Sequence, residues 1–324
     1  MLLTEALEQG LVKEVGMPDR RIPTVISDLF VCGDKVFKRY KHELFFFADL
    51  LKFESRKEFF FEDFFWNNTA APEIYRHLWG IEEKDGEYSL VPPTMGKDFL
   101  IEMSRIDDSQ LLTKLLLDGK LTEKQVVLFI DALIDVLRIL TAERKGHLAH
   151  LFNKGLPQIM CEDIQTFNTW MRERETHIKK EDSDALIAIL EKALAQEPYF
   201  TEATRGLLSA AIDNNSDNLL LLNHKPSFID IMPPMEIWRV VDEYATIART
   251  IVDIEVLGES KLGEVARERY KKYNRDIPPR AKLVHELRGA GIQWSYRHAL
   301  GQHDIAERFG NYTKAKMEEL EALL

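Results

Sequence analysis

The sequence predicts an α+β chain of two lobes, a small β-rich lobe first and a larger helical one after it. Three observations carry that prediction. Before about residue 104, apolar residues come in short runs broken at Gly33-Asp34 and Asp85-Gly86, as strands joined by tight turns would. After Asp107-Asp108-Ser109 they recur at helical spacing almost to the end of the chain. The one interruption, Ser209 to Asp230, reads as two short buried strands around a turn at His224 to Ser227.

In chain order, residues 2 to 9 suit a short helix. Arg20-Arg21-Ile22-Pro23 then leads into a hairpin over residues 24 to 38, with Lys38 near the end of its second strand. From Lys52 to Asn68, Phe53, Phe60 and Phe64 recur among acids and bases, so a helix carries Glu62 and Asp63 until Pro72 stops it. Residues 74–79 and 87–92 give a further hairpin, and 99–106 another strand. Helices are expected over 111–117, 122–140, 163–179, 183–195, 199–207, 237–257, 262–273, 279–300 and 310–323, with Thr122 capping the second. The lobes are therefore placed at 1–104 and 105–324.

Composition narrows the function classes. The 324 residues, 45% hydrophobic and 10% aromatic, can bury a substantial core. Forty-three basic against 54 acidic residues give a net charge of −11, which disfavours nucleic acid and anionic lipid as partners. Cys32 and Cys161 stand alone, without the spacing of a disulfide framework or a zinc site. The acidic, amphipathic N-terminus is unlike a signal peptide and no apolar run is long enough to span a bilayer, so a cytoplasmic protein is expected.

The polar groups of the interrupting hairpin point to chemistry. Asp213, Asn218 and Asp230 lie at the ends of apolar segments. Asx-turns in a polar hairpin would account for them. So would phosphoryl transfer, in which one Asp orients the attacking hydroxyl while an Asn and a second Asp hold magnesium. Lys38 on a strand and Glu62 on a helix precede them in the order that kinase chemistry uses.

With that order in place, the chain resembles the aminoglycoside-phosphotransferase family of kinase-like enzymes, in particular the bacterial group in which such a domain is often fused to a P-loop ATPase. The segments that carry the resemblance are Val31 to Lys38, Arg56 to Asn67 followed by Ala71 to Tyr75, Leu100 to Met103, Gly119 to Thr122, Asp213 to Asp230 and Arg239 to Ala245. The likeness thins between about residues 145 and 205. It implies a protein-kinase-like bilobal fold and an ATP- and magnesium-dependent phosphotransferase acting on a hydroxyl of a small molecule.

Carried over residue by residue, Lys38 would meet the nucleotide phosphates and Glu62, or Asp63 if the helix register differs by one, would fix its ammonium. Ile101 to Ser104, with Met103, would be the strand whose backbone meets adenine, and Ser27 the hydroxyl that meets a phosphate. Asp213 would be the catalytic base, and Asn218 and Asp230 the metal ligands. The family's catalytic loop begins His-Gly-Asp, whereas this chain has Ala211-Ile212-Asp213. That departure keeps open an alternative: a catalytically inactive kinase-like protein that binds a nucleotide or a partner.

Among the remaining residues, His147 and His150 are a weak metal pair, and Trp170 with Arg172 and Arg174, and Trp294 with Tyr296, Arg297 and His298, read as helix surface. Gly289 and Gly291 within a helical pattern imply close packing, and the helix holding them is expected to wall the acceptor pocket.

Overall fold

A computed structural model describes residues 3–24, 26–45, 47–173, 176–196, 207–273 and 277–324. Residues up to Asp108 together with Phe228–Met235 form one unit, and Ser109–Ser227 with Glu236–Leu324 form a second. The expectation that Asp230 belongs with the helical part is thus corrected. Segment 228–235 joins the sheet unit because the Tyr75 hydroxyl and the Asn67 carboxamide oxygen accept the backbone N–H groups of Asp230 and Ile231.

The first unit is built on a six-stranded antiparallel sheet: β1 (Arg20–Pro23), β2 (Ser27–Cys32), β3 (Lys35–Tyr40), β4 (Tyr75–Lys84), β5 (Glu87–Val91) and β6 (Asp98–Ser104). Its spatial order is β1-β2-β3-β6-β4-β5. The expected single hairpin over 24–38 is therefore a three-strand meander, with turns after Pro23 and at Gly33. Asp85 and Gly86 both take left-handed φ, 54° and 83°, the geometry of a tight two-residue hairpin turn.

Alternation along the strands sorts side chains onto two faces. Phe30, Phe37, Ile81 and Leu100 pack with Leu3, Ala6 and Leu7 of α1 (Leu3–Glu8). Tyr40 and Phe99, on the other face, pack edge-on or tilted against Phe60 of α2 (Phe53–Ala70). Arg56 of α2 and Arg39 of β3 both reach Asp98 at the start of β6, at 3.2 and 3.1 Å, and pin helix to sheet. Burial works against the Asp98 charge, but His42, Arg39 and Arg56 outweigh it and hold the carboxyl below its ordinary range.

The second unit contains α3 (Leu112–Leu117), α4 (Glu123–Arg144), α5 (Ala149–Phe152), α6 (Leu156–Glu173) and α7 (Lys180–Leu194). Thr122 and Gln125 close a reciprocal cap on α4. The helix expected over 199–207 falls on residues outside those described, apart from Leu207. Strands β7 (Leu208–Ala210), β8 (Leu219–Leu222), β9 (Lys225–Phe228) and β10 (Val240–Asp242) follow in two small sheets. The hairpin turn is Asn223-His224, with φ of 50° and 65°, so residues 225–228 are strand and not the expected turn.

The last helices are α8 (Glu243–Leu257), α9 (Ser260–Tyr273), α10 (Pro279–Ala299) and α11 (His303–Glu321). The helix expected from 237 begins only at Glu243. Val240 and Val241, β-branched, pair with β7, and the Asp242 side chain accepts the Tyr244 N–H to start the helix. Phe167 and Met171 of α6, Leu186 and Leu190 of α7, and Val284 and Leu287 of α10 form one buried cluster. Gly291 makes that packing possible, since a Cβ there would come within 2.8 Å of Phe167 and 2.9 Å of Leu186. Nearly all of α8 is buried. Among the described residues no helix is long and apolar enough to cross a membrane.

Candidate functional site

In the sheet unit, strand register gathers four of the expected residues on one face. Lys38 is opposite Leu29 and Ile101, Ser27 is two residues from Leu29, and Met103 two from Ile101. All therefore point to the α2 side of the sheet. The Lys38 ammonium donates to Asp63 Oδ2 at 3.0 Å and to Asp230 Oδ1 at 2.5 Å, and its side chain is only 4% exposed. Burial alone would lower the lysine's affinity for its proton. The carboxylates of Asp230 and Asp63 more than reverse this and hold Lys38 cationic, well above its ordinary range.

The acid on α2 is Asp63, not the expected Glu62. Residues 56, 59, 60, 63 and 67 follow the spacing of a single helix face, and Arg56, Phe59, Phe60, Asp63 and Asn67 are all buried. Glu62 is buried too, but is displaced by about 100° around the helix from Asp63. One turn on, Asn67 donates to Asp63 Oδ1 at 2.7 Å and accepts from Ile231 N–H at 2.9 Å. Asp230 itself takes a left-handed φ of 51°, uncommon for a residue with a Cβ, and the Tyr75 hydroxyl oxygen holds its N–H at 2.8 Å. Burial pushes the Tyr75 phenol up, so that it stays protonated.

Three expected residues on this face already have partners within the sheet unit. The Ser27 hydroxyl is engaged with Thr24 Oγ1 at 2.9 Å and closes the turn between β1 and β2. Ile101 and Met103 lie in β6 between β3 and β4, so their backbones belong to the ladder on both sides. Only beyond Ser104 does the chain leave the sheet.

In the helical unit, the loop from Ala211 to Asn218 is read by one face of α8. Thr246, Arg249, Thr250 and Asp253 are spaced to share that face. Asn214 Nδ2 donates to the Thr246 carbonyl and the Thr250 hydroxyl, the Ser216 N–H donates to Asp253 Oδ2 at 2.7 Å, and Arg249 Nη1 lies 2.6 Å from Asp213 Oδ1. Asn218 Nδ2 donates to the Asp213 carbonyl at 2.8 Å, so these two expected residues meet. Arg297 of α10, almost fully buried, pairs with Asp217 at 2.9 Å. Gln293 also donates to Asp253. Burial drives the Asp253 carboxyl up to about 6, against the pull of Arg297 and Arg249.

Sequence reasoning missed Arg249 and Asp253 and read Arg297 as surface. The spacing 246, 249, 250, 253 was the available signal, but nothing in it tells which loop the face will meet. Of the other candidates, Arg174 lies outside the described residues. His150 pairs with Glu236 at 3.1 Å, Arg172 pairs with Glu191 at 2.5 Å, and among the described residues no group of three or more His, Cys, Asp or Glu is arranged to hold a metal. Both cysteines are free.

No protein-family model matches the sequence, and no curated protein does. Solved structures match along nearly the whole chain. A thermostable mutant of aminoglycoside phosphotransferase APH(4)-Ia aligns with a TM-score of 0.51 at 12% identity, over 96% of this chain and 98% of that one. A ternary complex of such a mutant with AMP-PNP and hygromycin B gives 0.50 at 12% identity, over 97% and 98%. The GDP and kanamycin complex of APH(2″)-IIia gives 0.51 at 10% identity, over 99% of each chain. The sheet unit, the long helical unit and the full-length alignment agree: the chain has the fold of the aminoglycoside phosphotransferases.

Proposed function

We propose that the protein is a phosphotransferase that moves the γ-phosphoryl group of ATP to a hydroxyl of a small molecule. The observation that carries this reading is the Lys38, Asp63 and Asp230 cluster: a buried lysine whose ammonium is held by two carboxylates, one of which is half exposed. A lysine kept cationic at such cost suits a polyphosphate ligand. Proteins of the same fold bound with AMP-PNP and hygromycin B, or with GDP and kanamycin, are consistent with it.

In this reading Lys38 meets the nucleotide phosphates and Asp63 keeps its ammonium in place. Asp213 takes the proton of the acceptor hydroxyl as the new O–P bond forms and the bond from the γ-phosphorus to the bridging oxygen breaks. Magnesium, when bound, would neutralise phosphate charge, and it prefers oxygen ligands. Asp230 fits that demand, its carboxylate 54% exposed while Tyr75 and Asn67 tie down the backbone at 230 and 231. Asn218, expected as a second metal ligand, donates its amide nitrogen to the Asp213 carbonyl.

Asp213 Oδ1 already bonded to Arg249, together with Ala211 ahead of it, favours a second reading: an inactive kinase-like protein that binds a nucleotide or a partner. Purified protein with Mg·ATP separates the two. An active enzyme shows a thermal shift and ADP release that Asp213→Ala abolishes while the shift survives. A shift without ADP release from the wild type supports the binding protein, and neither signal removes the nucleotide from both readings.

A further inference from the structure

Resting on the assignment of Asp213 as the acceptor base, we propose that Arg249 is its positioning residue. It holds one carboxylate oxygen and leaves the other for the acceptor hydroxyl. Oδ1 of Asp213 receives Arg249 Nη1 at 2.6 Å and, more weakly, Asn215 Nδ2 at 3.4 Å. Among the described residues no bond is made to Oδ2, and the Asp213 side chain is 30% exposed. The carboxylate is therefore clamped on one side and open on the other.

The clamp is rigid at its root. Arg249 lies on the face of α8 whose neighbours Thr246, Thr250 and Asp253 hold Asn214 and Ser216, so the same helix sets both the loop backbone and the side chain of Asp213. On the far side, α10 approaches so closely at Gly289 that a Cβ there would stand 3.3 Å from the Arg249 Cα. The arginine stem has little freedom to shift.

A purely stabilising role fits the arrangement poorly. The guanidinium is largely buried, its Nε–H has no partner, and Asp213 is the one carboxylate bonded to it among the described residues. Desolvating an arginine for a single ion pair contributes little net stability, and apolar replacements of such pairs are often tolerated. Fixing a carboxylate rotamer is the gain that remains, and catalytic groups lose rate steeply when misplaced by even an ångström.

The test uses the full chain with Mg·ATP alone, water serving as phosphoryl acceptor, and follows ADP release in wild type, R249M, R249K, D213N and D213N/R249M, with thermal melts to confirm folding. The expected result for R249M is a kcat lower by about tenfold or more with the KM for ATP within about twofold, because positioning acts on the transition state. R249K, which can still donate to Oδ1, should recover much of that loss, and R249M should add little in the D213N background. A folded R249M with wild-type kcat overturns the proposal. So does a loss confined to KM, an R249K no better than R249M, or losses that multiply in the double variant. A wild type that releases no ADP overturns the phosphotransfer assignment itself, and this role with it, whereas an active wild type indifferent to R249M overturns the positioning role alone.

Discussion

Lys38 and Asp63 form an ion pair at 3.0 Å with both side chains no more than 4% exposed, between the fourth residue of a central strand and the core face of a helix. Breaking a buried pair is expensive when the survivor is left without a partner, but Lys38 keeps Asp230 at 2.5 Å. Asp63→Ala should therefore destabilise the protein by less than the ~3–5 kcal/mol of an uncompensated buried charge, on the order of 2 kcal/mol. Denaturant unfolding of Asp63→Ala checks this, and an unchanged stability would mean that the helix register assigned to the site is wrong.

Tyr75 acts on Asp230 through the backbone. Its hydroxyl oxygen accepts the N–H of a residue in left-handed conformation, and Tyr75→Phe removes that acceptor without changing the ring's packing. Leaving the donor unsatisfied should cost about 1–3 kcal/mol. If Asp230 ligates magnesium, the same variant should require more magnesium for the ATP-induced thermal shift. An unchanged magnesium midpoint would show that the Tyr75 hydroxyl does not set the carboxylate's position.

Asp253 makes stability depend on pH in a definite direction. Its carboxyl is raised from 3.8 to about 6 by burial, so the native state holds the proton to higher pH than the unfolded chain does. The stabilising contribution is present in full below the unfolded value and is lost as pH rises through about 6. Its size is on the order of 3 kcal/mol. Asp253→Asn keeps an oxygen for the Ser216 N–H and cannot titrate. Urea unfolding at about pH 4 and about pH 8 should show a smaller loss at the higher pH in the variant than in the wild type. Identical pH slopes in the two proteins would remove Asp253 as their source.

Much of this molecule was written in local pattern. Turn residues at Gly33 and Asp85-Gly86 mark the sheet's hairpins, Thr122 marks the start of α4, and apolar spacing marks most helices, because these depend on neighbours within a few residues. Where a distant partner decides, local pattern misleads. Val240 and Val241 continue a helical spacing yet form a strand, since β7 supplies the backbone bonds.

The same division runs through the site. Residue type and order single out Lys38, Asp213, Asn218 and Asp230 as candidates and leave a choice between two adjacent acids on α2. Which acid meets the lysine was settled by packing, because a helix turned by one residue changes the face it presents by about 100°. That Ser27 closes a turn, that segment 228–235 belongs with the sheet, and that Arg249 and Asp253 read the 211–218 loop, all depend on contacts between residues far apart in sequence. Residue type and local spacing fix which chemical groups this chain carries and most of the elements that bear them. Which of those groups meet follows from the folded packing, because side-chain pairing across elements is set by register and burial, which no local pattern encodes.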